Sequence, residues 1–201
     1  MGKITEITKQ TNNRFLNMYQ LDRINKKGRE GCYYMASRTQ EPEKLKLKTG
    51  ITTADAVIIY AVMDGKIVLT RQYRYPIDGI IYEFPAGLIN EGESISEAGV
   101  REMKEETGLD FTPVDADDAY TRPYYTTIGL TDEADAMIYG YASGSVLDQK
   151  LDEDEEIEVI LADKAEVRRI LREERIAIMC AYRLMNYLSD EDPFGFLKKK
   201  L

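Results

Sequence analysis

Histidine and tryptophan are absent from this 201-residue sequence, and cysteine occurs only twice, at Cys32 and Cys180. Without histidine the chain lacks the usual neutral-pH general base, every Ser-His or Cys-His nucleophile pair and the commonest zinc ligand. The two cysteines are far apart and lack metal-ligand spacing, which favours a reduced chain over a disulfide-stapled one. Any catalytic chemistry must therefore use carboxylate, lysine, tyrosine or cysteine side chains.

Positive charge and long apolar runs are also scarce. Lys and Arg number 27 against 36 Asp and Glu, a formal net charge of −9, which argues against a phosphate-tracking surface for nucleic acid. No tract of eighteen apolar residues occurs, so no membrane span is expected. The N-terminal residues have no apolar export core, and Glu6 stands where a myristoylation signal needs Ser or Thr. These absences predict a cytoplasmic protein without a nucleic-acid or membrane partner.

Periodicity and turn residues predict an α+β fold. Two β-hairpins are expected, one with its turn at Gly28 and one with its turn at Asp64-Gly65. Ser94 and Glu97 form a capping-box pattern, and Gly108 is placed to end the helix in a left-handed conformation. The predicted elements are hairpins over 14–38 and 54–69, strands over 80–84, 119–125, 134–141 and 156–161, and helices over 94–107, 164–171 and 175–188. Strands around a central helix, followed by two terminal helices, predict a layered α+β domain.

The central helix places acidic side chains on its apolar face. At 100° per residue from Ile95, Glu102 falls near 340°, Glu106 near 20° and Glu105 at about 280°. The apolar stripe around 0° contains Ala98, Gly99 and Met103. Two like charges one turn apart on a partly desolvated face cost several kcal/mol unless cations or protons compensate them.

Two interpretations of this face remain open from the helix alone. A hard divalent cation such as Mg²⁺ takes oxygen ligands and keeps waters or phosphates at its other positions, which would indicate phosphate-bond chemistry. Alternatively, the acidic face is solvated and held by pairs such as Arg101 with Glu105, each contributing a few tenths of a kcal/mol.

A longer pattern of fixed residues surrounds the helix. From Gly87 the chain reads GLINEGESISEAGVREMKEETGL, with Glu93 after five residues and Arg101-Glu102 after seven more. Glu105-Glu106 and Gly108 complete the pattern, which resembles the Nudix box at every position. Seven fixed identities arise by chance in roughly one window in 10⁸, so the chain is identified as a relative of the Nudix hydrolases.

The Nudix resemblance implies an α/β/α sandwich with a mixed central sheet. It also implies cleavage of a nucleoside diphosphate linked to another moiety, with Mg²⁺, or in its place Mn²⁺, bound on the helix. Glu102 and Glu106 would be the principal metal ligands, and Glu105 a further ligand or a catalytic partner of metal-bound water. Arg101 and Glu93 would form the ion pair that shapes the loop, while the glycines of the box, Gly87 and Gly108, would support its geometry.

The segments before the box are similar to those of the ADP-ribose and ADP-sugar pyrophosphatases. They read RQYRYP over 71–76 and EFPAG over 83–87. The resemblance implies that the Ala86 carbonyl completes a metal site, that Arg74 neutralises the diphosphate and that Leu88 contacts the substrate. A guanidinium suits this role because it can bind phosphate oxygens bidentately; the alternative for Arg74 is a rim ion pair.

The N-terminal hairpin also resembles this branch, in which such hairpins exchange between two protomers. The resemblance predicts a homodimer, with a dimerisation region over 1–50 and a Nudix domain over 51–201. Phe15 and Tyr33 would stack on the adenine, and Arg38 would lie near the phosphates or the terminal ribose. Aromatic stacking gives affinity but little base choice, and packing in the core or dimer is the alternative role.

Two acidic segments after the box compete for the general base. The segment over 151–159, LDEDEEIEV, resembles the acidic loop of the bacterial enzymes, which would make Glu153 the base and Glu155 a metal ligand. The segment over 129–133, GLTDE, matches a family substrate loop; Glu133 is the second candidate base, and Thr127 is a predicted substrate contact. The first segment is favoured, although an acidic run is often only a solvated loop.

The predicted substrate is ADP-ribose, cleaved to AMP and ribose 5-phosphate. The branch usually carries Pro-Gly where this chain has Ile128-Gly129, so GDP-mannose or another nucleoside diphosphate sugar is an alternative. A non-catalytic nucleotide-sugar sensor and a hydrolase of RNA ends or dinucleoside polyphosphates are further alternatives. The C-terminal tail from Asp192 either docks on the last helix or is solvated.

Overall fold

A computed structural model describes residues 1–151 and 156–198 of the chain. Its strands are β1 (Lys3–Lys9), β2 (Asn17–Ile24), β3 (Glu30–Ser37), β4 (Ala56–Met63), β5 (Lys66–Arg74), β6 (Gly79–Glu83), β7 (Ala86–Leu88), β8 (Leu109–Pro113), β9 (Tyr124–Tyr125), β10 (Ala134–Gly144) and β11 (Ile157–Ala162). Its α-helices are α1 (Lys46–Thr49), α2 (Ile95–Thr107), α3 (Asp118–Thr121), α4 (Lys164–Glu173) and α5 (Ile178–Ser189).

The chain divides into two compact units. The first consists of Met1–Asp55 together with Pro123–Asp135, and the second of Ala56–Arg122 together with the chain from Ala136 onward. The domain boundary predicted at residue 50 stays a prediction. The sequence pattern did not indicate that residues 123–135 would join the N-terminal unit, because that pairing is made between distant parts of the chain.

The first unit is built on a three-stranded antiparallel sheet in the order β1-β2-β3. The hairpin of β2 and β3 turns at Gly28, whose φ of 77° is a conformation that glycine adopts without steric cost. Strand β1 pairs with β2 and was not expected, because its polar residues mask the alternation. A small cluster of buried side chains covers this sheet and contains Tyr19, Leu21, Met35 and Leu45. Strand β9 pairs with the first two residues of β10.

The second unit is a layered sandwich, which confirms the predicted α+β fold class. Its sheet runs in the order β11-β5-β4-β10-β8, with β6 beside β5 and β7 beside β4. Alternate residues of a strand point to opposite faces, and β4 accordingly contributes to two separate clusters. One face packs against α2 and contains Val57, Ile59, Ala61, Ala98 and Met103. The other packs against α4 and α5 and contains Tyr60, Val62, Ile170 and Leu184.

Two sequence-based predictions of secondary structure were wrong in part. Residues 119–121, predicted as strand, lie in α3, because the Asp117 side chain accepts a hydrogen bond from the Ala119 N–H and caps the helix. Helix α5 begins at Ile178 rather than at Arg175. The preceding residues pair with β6 instead, where the Tyr82 N–H donates to the Arg175 carbonyl and the Ala177 N–H to the Tyr82 carbonyl.

The C-terminal tail docks on the second unit through its aromatic side chains. Phe194 and Phe196 are buried, and the Tyr60 hydroxyl donates a hydrogen bond of 3.0 Å to the Pro193 carbonyl. The Arg183 guanidinium of α5 lies 5.1 Å from the centre of the Phe196 ring, so the tail also contacts the last helix, which was one of the two alternatives that the sequence left open. Across the described residues, no helix combines the length and the apolar character needed to cross a bilayer.

Candidate functional site: the acidic helix and its loops

Helix α2 carries the acidic residues and is capped at both ends as predicted. The Ser94 side chain accepts from the Glu97 N–H, and the Glu97 side chain accepts in return from the Ser94 N–H. Gly108 ends the helix with φ at 73°. Ala98, Gly99 and Met103 are buried, as the wheel predicted. Glu106 lies within this stripe and is only 6% exposed, so its carboxylate is largely removed from water.

The guanidinium of Arg101 connects the loop before α2 with its acidic face. Arg101 binds Glu93 bidentately, from Nε at 2.8 Å and Nη2 at 2.9 Å, and Nη2 also donates to the Leu88 carbonyl at 3.0 Å. Nη1 donates to Glu102 at 2.7 Å and to Glu105 at 3.0 Å. All five guanidinium donors are thereby used. These bonds bring Glu93, Arg101, Glu102 and Glu105 together, and they include the Arg101–Glu93 ion pair that the resemblance implied.

The charge of Glu93 is strongly favoured in this arrangement. Its hydrogen bonds with Arg101, followed by one from the Asn90 N–H, lower the pKa of Glu93 to about 2. A carboxylate that accepts charge-assisted hydrogen bonds keeps its charge well below the usual pKa. Glu93 therefore remains a fixed anion that orients Arg101 at any pH near neutrality.

Strand β7 lies directly beside the acidic face of α2. The Ala86 N–H donates to Glu106 Oε2 at 3.1 Å. At Gly87, a Cβ atom would lie 1.9 Å from Cδ of Glu102. Any side chain at this position would therefore have to displace the Glu102 carboxylate from the place where Arg101 binds it.

The motifs before the box meet on neighbouring strands. Strands β5 and β6 are antiparallel, and Arg74 Nε pairs with Glu83 Oε2 at 2.7 Å. The ion pair joins the arginine of the RQYR segment to the glutamate of EFPAG. The Arg74 side chain is exposed to solvent, and Leu88 is exposed as well. Arg74 thus forms the ion pair that was the alternative interpretation, and its contact with the diphosphate stays a prediction.

The donor set of α2 suits a hard divalent cation. Glu102, Glu105 and Glu106 offer only carboxylate oxygens, and Mg²⁺ takes one or two protein carboxylates while keeping water or phosphate oxygens elsewhere. In the part of the chain that the structure describes, no three acidic or cysteine side chains converge on one point. The fit therefore rests on a pair of carboxylates such as Glu102 and Glu106, not on a closed cage.

The described residues on either side of the favoured acidic segment form hydrogen bonds with other residues of the second unit. Glu153 and Glu155 lie outside the described residues. Immediately before them, the Lys150 N–H donates to the Glu105 carbonyl at 2.8 Å, and Gln149 Nε2 donates to the Glu106 carbonyl at 2.6 Å. Immediately after them, β11 begins and pairs with β5. The chain before residue 151 is therefore tied to the end of α2 that carries Glu105 and Glu106.

The remaining predicted residues lie in the first unit, where Arg38 and Glu133 contact each other and Tyr33 and Thr127 contact the loop between residues 127 and 131. Arg38 Nε pairs with Glu133 Oε1 at 2.8 Å, and the Tyr33 hydroxyl donates to the Gly129 carbonyl at 2.5 Å. The Thr127 carbonyl accepts from the N–H groups of residues 130 and 131. Phe15 stands apart from this group with 64% of its surface exposed, and the Arg14 guanidinium lies 4.7 Å from its ring centre.

A group of acidic residues in the first unit was missed by the sequence reasoning. Asp132 is 9% exposed. Within the described residues, neither the Oδ2 atom of Asp132 nor the Oδ1 atom of Asp135 has a hydrogen-bond partner. Burial, followed by the charges of Glu133 and Asp55, raises the pKa of Asp135 to about 7. Asp55 itself pairs with the buried Lys46. The contacts join segments about 80 residues apart in sequence, so no local pattern indicates them.

Replacing Asp135 with asparagine is expected to stabilise the protein above neutral pH. Because the folded-state pKa is raised, the stability that Asp135 contributes is fully present near pH 4 and is lost as the pH rises through about 7. Asparagine resembles the protonated acid and does not titrate. Asp135→Asn should raise Tm by about 2–4 °C at pH 8, the shift that about 1 kcal/mol gives a chain of this size, and by less at pH 4.5.

Thermal melts of both proteins across pH 4.5–8 check this expectation. An equal change in Tm at both ends of the range would show that Asp135 does not titrate there.

Comparison with known proteins identifies the family to which this chain belongs. The family model of the NUDIX domain matches residues 52–179, more than half of the chain, so the chain belongs to the Nudix family. It is similar to the ADP-ribose pyrophosphatase of Bacillus subtilis, with 38% identity over 108 residues, or 52% of this chain and 56% of that one. It is also similar to the mouse (Mus musculus) ADP-sugar pyrophosphatase, with 40% identity over 77 residues, or 36% of this chain and 35% of that one.

A solved structure shares the fold over nearly the whole chain. The crystal structure of an ADP compounds hydrolase matches with a TM-score of 0.69 and 18% identity, covering 94% of each chain. At this identity the likeness concerns the fold alone. The chain spans 56% and 35% of the length of the two sequence relatives, and both matches support the predicted resemblance to the ADP-ribose and ADP-sugar pyrophosphatases.

Proposed function

We propose that this protein is a Mg²⁺-dependent hydrolase that cleaves the diphosphate of ADP-ribose to AMP and ribose 5-phosphate. The observation that carries this proposal is the arrangement of α2, in which Glu106 is buried on the inner face and Arg101 binds Glu93, Glu102 and Glu105. A hard divalent cation such as Mg²⁺ takes carboxylate oxygens of this kind as ligands. The similarity to ADP-ribose and ADP-sugar pyrophosphatases supports the choice of substrate class.

Each residue of the box has a distinct task in this proposal. Glu102 and Glu106 would hold the metal, with Glu105, Glu155 and the Ala86 carbonyl as further ligands. Bound Mg²⁺ would neutralise diphosphate charge and lower the pKa of a bound water. Arg101 keeps the acidic side chains oriented through four of its hydrogen bonds, and the fifth holds the Leu88 carbonyl. Orientation of this kind supplies much of the rate in phosphoryl transfer, where the protein positions the reacting groups in line.

Arg74 and Leu88 would contact the substrate in the same unit. Arg74 uses Nε for its pair with Glu83, and the exposed side of its guanidinium would offset the negative charge of the diphosphate. Guanidinium–phosphate bonds are charge-assisted and can be bidentate. Leu88 presents its side chain to the surface and its carbonyl to Arg101, so the box arginine would also fix the position of this contact.

Glu153 is the proposed general base, with Glu133 as the second candidate. Two observations support this order. The residues just before the Glu153 segment bond to the carbonyls of Glu105 and Glu106, whereas Glu133 is paired with Arg38. The Glu133 carboxylate is therefore already engaged in an ion pair.

The first unit is proposed to supply substrate contacts and the interface of a homodimer. Phe15 and the ring of Tyr33 would stack on the adenine, with Arg38 and Thr127 near the phosphates or ribose. Large exposed apolar side chains often mark an interface, and this unit carries Phe15, Leu16, Met18, Tyr33, Tyr34 and Leu130. A cytoplasmic location is part of the same proposal.

Product analysis with purified protein tests the proposal. ADP-ribose, ADP-glucose, GDP-mannose, NADH and diadenosine polyphosphates should be compared with Mg²⁺, with Mn²⁺ and with EDTA. Preferred, metal-dependent release of AMP and ribose 5-phosphate from ADP-ribose is expected. Preference for GDP-mannose would direct attention to Ile128, and tight binding without cleavage would favour a nucleotide-sugar sensor instead.

A further inference from the structure

Strand β3 and the loop over 127–133 are joined by a series of contacts within the first unit. The Tyr33 hydroxyl bonds to the Gly129 carbonyl at 2.5 Å, and the Ala36 N–H donates to the Leu130 carbonyl at 2.8 Å. Ala36 also forms a parallel bridge with Thr131, and Arg38 pairs with Glu133. The contacts follow both segments in the same direction and join residues that are more than 90 positions apart in the chain.

The loop turns sharply at its start and gains little from packing there. The N–H groups of Leu130 and Thr131 both donate to the Thr127 carbonyl, at 2.8 and 3.0 Å. The side chains at the turn are exposed, with Ile128 at 65% and Leu130 at 68%. Beyond its chain neighbours, a Cβ added at Gly129 would meet no described heavy atom within 4 Å. Because apolar burial is small, hydrogen bonds must hold this turn in place.

We infer that Tyr33 is a positioning residue whose hydroxyl fixes the 127–130 turn and thereby sets the affinity for substrate. The main-chain bond from Ala36 and the ion pair of Arg38 hold the later part of the loop. At the tip, the Tyr33 hydroxyl reaches the carbonyl of Gly129 between the two exposed apolar residues. The inference rests on the proposed function in one respect, namely that this loop contacts the substrate.

The role of the hydroxyl is separate from stacking by the ring. Tyr33→Phe keeps the ring and removes only the oxygen that bonds to Gly129. Tyr34→Phe is a matched control, because Tyr34 is the next residue of the same strand, points to the opposite face and is 53% exposed. Both changes leave the buried cluster of the unit untouched.

The first test measures amide hydrogen exchange without substrate. In wild-type protein the amides of Leu130 and Thr131 should be protected, because both donate hydrogen bonds. Tyr33→Phe should increase their exchange about 5-fold, the factor that corresponds to a net hydrogen bond of about 1 kcal/mol, and Tyr34→Phe should leave it unchanged. Unchanged exchange in Tyr33→Phe would overturn the inference, whatever the protein's activity.

The second test separates KM from kcat for ADP-ribose. Tyr33→Phe should raise KM about 5-fold with kcat within 2-fold of wild-type, because uniform binding is lost and the chemical step is kept. If Tyr33→Phe exchanges the Leu130 and Thr131 amides faster but keeps the wild-type KM, the turn does not set the affinity for substrate and this part of the inference is overturned. If wild-type protein cleaves no nucleotide sugar, the proposed function fails, while the exchange result still decides whether Tyr33 holds the turn.

Discussion

Glu106→Gln is expected to lower kcat by about 10³-fold, because a metal held by Glu106 supplies several kcal/mol of transition-state stabilisation. The substitution removes one negative charge from the inner face of α2 and keeps the shape of the side chain. The amide oxygen can still accept the hydrogen bond that the Ala86 N–H donates to the wild-type carboxylate. The fold should therefore survive, and initial-rate kinetics at saturating Mg²⁺ measure the loss.

The matched control for this experiment lies on the same helix. Glu97→Gln makes the same chemical change on the exposed side, and glutamine can replace glutamate in a capping box. Its kcat should stay within about 2-fold of wild-type, and its circular dichroism should match that of Glu106→Gln. A Glu106→Gln protein with wild-type turnover would exclude the metal-binding assignment of α2.

Glu153→Gln is expected to lower kcat by about 10²–10⁴-fold, the contribution typical of a positioned general base, with KM little changed. The substrate would bind as before because its predicted contacts lie on other residues. Single-turnover kinetics with ADP-ribose and saturating Mg²⁺ isolate the chemical step and measure the loss directly.

Glu133→Gln decides between the two candidate bases. If Glu153 is the base, Glu133→Gln should change kcat far less, because its main structural effect is to weaken the ion pair with Arg38. A large loss of kcat in Glu133→Gln, with near-normal turnover in Glu153→Gln, would transfer the role of base to the substrate loop.

The parts of the site that sequence could predict are those set by local spacing. Helix α2 begins and ends where its caps predicted, and Glu106 is buried where the wheel placed it. The contact of Arg101 with Glu105 follows from four-residue spacing on one helix. Such relations depend only on helix geometry, so a single sequence is sufficient to derive them.

The parts that could not be predicted depend on distant segments. Nothing local to Arg38 indicates that it pairs with a residue 95 positions away, and nothing local to Asp135 indicates the burial that is the main cause of its raised pKa. Residues 119–121 were assigned to a strand because tyrosine and threonine favour strands, whereas a single side-chain cap from Asp117 makes them helical. Tertiary contacts and caps therefore override weak intrinsic preferences here.

The capping of α2 also limits how this chain can change in evolution. Its first turn is fixed by Ser94 and its last by Gly108, so one residue inserted between them would rotate all later side chains by about 100°. Glu106 would then leave the inner face, together with buried neighbours such as Thr107. Insertions between the caps should therefore be absent from active relatives.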